Sequence, residues 1–550
     1  SSHLGSKLDV HVGPRRACRI GQSSVDGLIA MFASLLVVCL GLLTTFRFSD
    51  AQIYSFVNEP VPANRSLHTL YAFYVYSLEE APEKDAGKPF VKFSQLVAHP
   101  AHPDQLSEQV KAYEGLQLSI MRYRDFWSLI DPKKFCSTDN DVLAGRADKK
   151  DQLQVMKKPG QTYRDVTVYT TTVRMLDTPS KDVKEFVQKT GVYILVFSNC
   201  GAYSDATVTG TVLVKNAYGF LPGNEYHKMP FYGWLLLTYV GLAVVWMGLS
   251  VRWWKELFMI QNCIAAVIFF GLLESFLWFI FLNDWNHTGL RGKFWSVLAI
   301  LFTVIKSTFS YILVLVASLG WGVTRPYLDT KVIWKIQALS FLYIVLDFIR
   351  EAVLSFRHSH SLSIAFVLLC LLPVSLLNGA IFSWVFTALS NLMETLKERR
   401  QHEKLALFQR LWRILIAALT VATGTLLFQI FNLSRSITSR WKYQWMLTDG
   451  ISHGLFLFVL IAMMYLWAPN KSSQRYAYSQ QIGGDDNKEE HPGAIWADDD
   501  NLEDDGEEGE SFWATTKGAS TLDEDGIPLA SKAGVSVIGA SSKSASTDEV

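Results

Sequence analysis

Glu274, Lys306, Asp347, Arg350, Glu351, Asp449 and His453 are ionisable residues set inside long apolar stretches of the chain. Such groups are costly in hydrocarbon, so they pair with one another or line a wetted space, and they mark where chemistry or recognition can occur. Glu274 lies eight residues from one end of its stretch, and Lys306 lies twelve from the matching end of the next. At 1.5 Å per residue their depths are roughly 12 and 18 Å from the same surface, close enough for a salt bridge if they face each other. Asp347, Arg350, Glu351, Asp449 and His453 come out within about 14 Å of that surface. Lys335 and Arg413, at the opposite helix ends, are the exceptions to this one-sided pattern. The pattern predicts a polar vestibule with Glu274, Lys306, Asp347, Asp449 and His453 as candidate ligand-binding residues. A structural reading stands beside it. Glu274 and Lys306 then lock two helices, Asp347, Arg350 and Glu351 satisfy each other at three- and four-residue spacing, and His453 is a packing residue.

Other chemistry is not indicated. The sequence shows no nucleophile with a base, no cluster of metal ligands, and no phosphate-cradling loop, since 319–326 (LGWGVTRP) lacks the spacing and the lysine. A non-enzyme without cofactor or metal is expected. Of the six cysteines, Cys263 and Cys370 lie in apolar stretches and read as small hydrophobes. Cys136 and Cys200 fall in a region expected to be lumenal and oxidising, and are read as one disulfide. Asn64-Arg65-Ser66 is an N-glycosylation triplet in that region. Those at Asn286 and Asn432 lie so close to the membrane that their use is not expected.

These residues need a scaffold, and the composition names its class. Hydrophobic residues make up 49% and charged residues 19%, and the apolar ones are concentrated in stretches long enough to cross a bilayer. Seven such stretches are read at 231–249, 257–282, 294–319, 333–356, 362–389, 411–431 and 446–467. Residues 27–46 form an earlier apolar run. Small residues Ser49 and Ala51 fit leader cleavage after Ala51, with translation expected to start at Met31. The alternative is an uncleaved anchor with Arg15, Arg16 and Arg19 on the cytosolic side. Between leader and first span, 71–76, 166–175, 192–197 and 207–214 read as strands of a small β-sandwich. Cys200 closes one of these strands, so its bridge would pin a long loop to the sheet.

The domains are therefore 1–51, a leader with upstream residues; 52–227, a lumenal β-sandwich; 228–468, the seven-helix domain; and 469–550, an acidic, disordered cytosolic tail. Lys and Arg favour the connections on the tail side, which orients the bundle with the tail cytosolic. Residues 391–413 read as extensions of the fifth and sixth helices. Trp253, Trp254, Trp295, Trp441 and Trp445 read as an interfacial belt.

Five motifs in order, 191–200 (GVYILVFSNC), 216–234 (NAYGFLPGNEYHKMPFYGW), 254–261 (WKELFMIQ), 319–326 (LGWGVTRP) and 467–479 (WAPNKSSQRYAYS), make residues 192–479 resemble the lung seven-transmembrane receptor family, also called GOLD-domain seven-transmembrane proteins. The resemblance implies a GOLD-type sandwich, residence in Golgi or endosomal membranes, and a role in trafficking. Similarity to the fold of the Wnt-secretion carrier Wntless implies cargo or lipid binding by analogy. The chain departs from the family at Ala217 and Phe220 of the first junction motif, and at Asn378, where relatives often carry an acidic residue.

Expected partners are membrane lipids, a lumenal cargo or lipid ligand, and coat or adaptor proteins at Trp496 and Phe512 of the acidic tail; nucleic acid is not among them. A receptor coupling ligand binding to cytosolic signalling, and a cation path through the bundle, are the competing functions.

Overall fold

The computed structural model describes residues 52–469 except 64, 86, 102–115, 132, 157–165, 174–180, 202–205, 255–256, 258, 322, 325–327, 358–363 and 432–440. The leader, the tail beyond 469, Asn64 and the Asn432 triplet lie outside the described residues.

Among the described residues eight strands form two antiparallel four-stranded sheets. The first has the order β1 (Ile53–Pro60), β8 (Ala206–Lys215), β3 (Phe90–Pro100), β6 (Val183–Phe186). The second runs β2 (Ser66–Val75), β7 (Gly191–Asn199), β4 (Leu116–Arg122), β5 (Val168–Thr172). Strand β8 alternates buried and half-buried residues along its length, so Val208, Val212 and Val214 point into the core shared with Phe73, Phe93, Leu118 and Leu195. Strand β7 is buried on both faces after Gly191. The excursion between β4 and β5 covers its outer side: Phe126 and Leu129 of α1 (Tyr123–Leu129), with Leu153, pack on Ile194 and Val196. The Cys136–Cys200 disulfide ties that excursion to the end of β7, across a sequence separation of 64. Within the excursion, α2 (Asp139–Leu143) carries the buried Asp141, which pairs with Lys134 and Arg146. Hydrogen bonds from Lys134 and Thr138 hold its carboxyl well below the usual range.

Among the described residues seven helices follow that are long and apolar enough to cross a bilayer. They are α3 (Lys228–Arg252), α4 (Met259–Thr288), α5 (Lys293–Ser318), α6 (Thr330–Arg357), α7 (Ile364–Glu398), α8 (His402–Phe431) and α9 (Ile451–Leu466), the last entered through a 3-10 turn, Trp441–Tyr443, and a π turn, Met446–Gly450. Outward-facing Trp234, Val244, Leu376, Phe431 and Tyr465 are exposed, as lipid contact requires. Helices α3 and α4 approach closely where Tyr239 lies over Gly271; a Cβ there would stand 2.5 Å from the Tyr239 ring. The connection between α7 and α8 is a tight turn at Arg399–Gln401, with both helices running on past their apolar stretches.

The sandwich is bolted to the bundle by side-chain amides. Asn216, just past β8, accepts from the Tyr76 N–H (2.9 Å) and donates to the Leu221 carbonyl (3.0 Å). Asn286, near the end of α4, accepts from the Leu221 N–H (3.1 Å) and donates to the Tyr218 carbonyl (3.0 Å), while its own carbonyl accepts from Phe220 (2.9 Å). Gly219 sits between them at φ +144, and a Cβ there would fall 2.3 Å from Asn286 Oδ1. Asn286 is 6% exposed with its amide fully committed, so a glycan on that triplet is incompatible with the fold. One expectation is corrected here. Trp441 is no interfacial anchor: it is buried against Tyr74, Tyr76 and Gly223, because the chain entering α9 is pressed between sandwich and bundle. Trp445 stacks on His227 beside it.

Candidate functional site

A cavity of about 780 Å³ lies where the sandwich meets the bundle. Its size is in the range of ordinary small-ligand sites. Strand β2 supplies its roof through Tyr71–Tyr74, joined by Gln52 ahead of β1 and by Asn224 and Glu225 of the junction. The sides descend between α4, α5, α7, α8 and α9 along apolar residues such as Trp285, Val314, Phe382, Leu419 and Phe456.

Charged pairs stud this apolar space. Glu274, fully buried on α4, meets Lys306 of α5 at 2.5 Å. These are the two residues whose depths in adjacent spans placed them within reach. Lys306 Nζ also stands 4.6 Å over the Phe456 ring, a cation–π contact that stabilises a desolvated ammonium. His453 of α9 brings Nε2 to 3.6 Å from the second oxygen of Glu274, while its Nδ1 is 2.9 Å from the Asp449 carbonyl one turn earlier. Asp449, in the π turn, binds Lys228 at 3.0 Å, and Lys228 binds Glu225 at 2.9 Å. Arg350 of α6 pairs with Glu351 at 2.5 Å and with Asp347 at 2.9 Å.

Glu274, Lys306, Asp449 and His453 thus border one cavity. Asp347 does not. Its side chain is fully buried and paired with Arg350, and it is Arg350 and Glu351 that border the cavity.

Gln52, Asn224, Glu225, Lys228 and Arg291 also border the cavity, and none was singled out as a site residue from the sequence. Lys228 is the first residue of α3 and reads as an end-of-span cation, and Arg291 as a loop charge. The signal was the density of polar residues in 216–234 beside the first span. Arg291 lies 5.5 Å over the Trp285 ring and 5.8 Å over Phe281. Burial lowers its pKa from the usual guanidinium range. The arrangement offers hydrogen-bonding and charged groups of both signs above apolar walls, the contacts an amphipathic ligand needs. Among the described residues no group of His, Cys, Asp and Glu is arranged to hold a metal ion.

Comparison with known proteins agrees with this architecture. Residues 227–474 match the family described as GOST, seven transmembrane domain. Transmembrane protein 87A of Xenopus tropicalis is 30% identical over 283 residues, 51% of each chain. Human transmembrane protein 87B is 28% identical over 314 residues, covering 56% of this chain and 55% of its own. Membrane protein PTM1 of Saccharomyces cerevisiae (strain YJM789) is 27% identical over 320 residues, 55% and 59% of the two chains. The chain spans about half the length of the curated relatives it matches. The chain is an integral membrane protein of seven spans whose residues 227–474 match a GOST seven-transmembrane domain, and over about half its length it is similar to transmembrane protein 87A.

Proposed function

We propose that this is a non-catalytic protein of Golgi or endosomal membranes that acts in trafficking by taking an amphipathic ligand, a lipid or the lipid-bearing part of a cargo, into the cavity between sandwich and bundle. The observation that carries this reading is the cavity itself, walled by both domains, polar at its roof and apolar along its sides. An amphipath gains from burying its apolar part in such a space while its polar end meets preformed hydrogen-bonding groups. In this reading the sandwich is a GOLD-type domain on the lumenal side, entered after leader cleavage at Ala51. Asn64 carries a glycan, and the acidic tail meets coat or adaptor proteins in the cytosol. Basic Lys228, Arg291, Lys306 and Arg350 border the same space as Glu225, Glu274, Glu351 and Asp449, so the charge balance favours a zwitterionic or amphipathic guest over a path selective for cations.

The test combines one double variant with localisation and transport. Glu274→Gln with Lys306→Met removes both charges of the pair without leaving either one alone. Recognition at this cavity predicts a double variant that is stable and correctly localised, but loses co-purifying lipid or cargo and fails to support delivery of a resident glycosylation enzyme. Normal transport and normal ligand content in that variant would remove the pair from function.

A further inference from the structure

Gln52 is fully buried and borders the cavity, and neither its Oε1 nor its Nε2 has a hydrogen-bond partner among the described residues. Its main chain is already part of the fold. The Gln52 carbonyl accepts from the Val214 N–H at 2.9 Å, and strand β1 begins at the next residue. A primary amide buried with both donor and acceptor unmet is an unfavourable use of a polar side chain and calls for a physical reason.

The sequence supplies a second property of the same residue. Cleavage after Ala51 makes Gln52 the first residue of the mature chain. A free α-amino group at this position would place an ammonium on a residue whose side chain is fully buried, at a cavity that Arg291 and Glu225 also border. A charge held away from water is costly unless a partner compensates it.

We propose that the mature chain begins at Gln52 and that this residue is cyclised to pyroglutamate, an inference that rests on leader cleavage after Ala51. In the step, the α-amino nitrogen attacks the side-chain Cδ, a new N–Cδ bond forms and the Cδ–Nε2 bond breaks. The departing nitrogen takes up a proton from the attacking amine and leaves as ammonia. No electrons are transferred and no co-reactant is consumed. Cyclisation eliminates the ammonium and the unmet Nε2 donor together, and leaves a neutral five-membered lactam whose single N–H and single C=O sit at the edge of the cavity. The roof of the ligand site then carries a compact, rigid amide in place of a flexible side chain and a charge.

The experiment uses the full-length protein made in cells with an intact secretory pathway and purified from membranes. Primary amines of the intact protein are capped by reductive dimethylation at neutral pH before digestion, so that a free terminus is captured before it can cyclise during handling. The expected N-terminal peptide begins at Gln52, is undimethylated, and is one ammonia lighter than the unmodified sequence. A peptide beginning at Gln52 with a dimethylated amine overturns cyclisation and leaves the cleavage reading standing. A mature terminus at any other residue overturns both. Gln52→Ala cannot cyclise and should show a dimethylated terminus and a lower melting temperature than the parent protein. An unchanged melting temperature would overturn the claim that the lactam relieves a buried charge. Should that variant fail to accumulate, the parent protein's terminal mass still decides the question.

Discussion

At the scale of single residues, the Glu274–Lys306 pair is the clearest case of opposing terms. Taking two charges out of water costs several kcal/mol each, and their attraction repays this only while both are present. Glu274→Gln alone should therefore destabilise the protein by about 3–5 kcal/mol, read as a fall in melting temperature in detergent. Adding Lys306→Met should recover most of that loss, which separates the cost of an orphaned ammonium from any role in recognition. Asn286 is a second residue on which much depends. Asn286→Ala leaves the Leu221 N–H and the Tyr218 carbonyl unmet, at about 1–3 kcal/mol for each buried group, and the loss should appear in the same melting experiment.

At the scale of elements, the disulfide and the junction glycine decide how pieces are held. The Cys136–Cys200 bridge closes a loop that carries its own small core onto β7. Cys200→Ser should cost about 2–4 kcal/mol in equilibrium unfolding and expose the excursion to protease before the sheets open. Gly219→Ala asks more of the backbone than of the core. A Cβ at φ +144 is strained whatever the space, and here it also meets Asn286. The variant should loosen the sandwich from α4, and faster amide exchange at Phe220 and Leu221 with the sheet core unchanged would show it.

For the whole molecule, contact between sandwich and bundle carries a pH dependence. Burial, with Lys442 nearby, holds the His227 imidazole below its usual range, so the folded state favours the neutral ring. The groups around it are Tyr76, Tyr226 and Trp445, with Lys442 bonded to Glu80 at 2.6 Å. For a depressed histidine, stability is full above the unfolded pKa, about 6.5, and is lost as pH falls toward the folded value. Glu80 stays ionised through this window, because its bond from Lys442 holds its carboxyl below the usual range. The melting temperature should fall between about pH 7.5 and 5.5, and His227→Gln should flatten that slope relative to the parent. Orientation is tested at the same scale. Protease added to sealed microsomes should trim the tail beyond Trp467 and spare the sandwich; a protected tail would overturn the orientation.

Membrane class, span number and the depth of the intramembrane charges were legible in the sequence because each depends on local quantities: apolar length, rise per residue and spacing along one helix. The seven spans appear near their expected positions, and Glu274 and Lys306 meet at similar depths on adjacent helices. Strands β2, β5, β7 and β8 were visible through their β-branched and aromatic runs. Strands β1, β3 and β4 were not, since Ser, Gln, Lys, Leu and Met dilute that signal until partner strands select their conformation. Only the tertiary structure decided which charges face a common space. Asp347 and Arg350 sit three residues apart on one helix, yet the arginine borders the cavity and the aspartate does not. Gln52, Lys228 and Arg291 come to the site from a strand entry, a helix start and a loop, and no spacing within a single element could have foretold that they share one cavity.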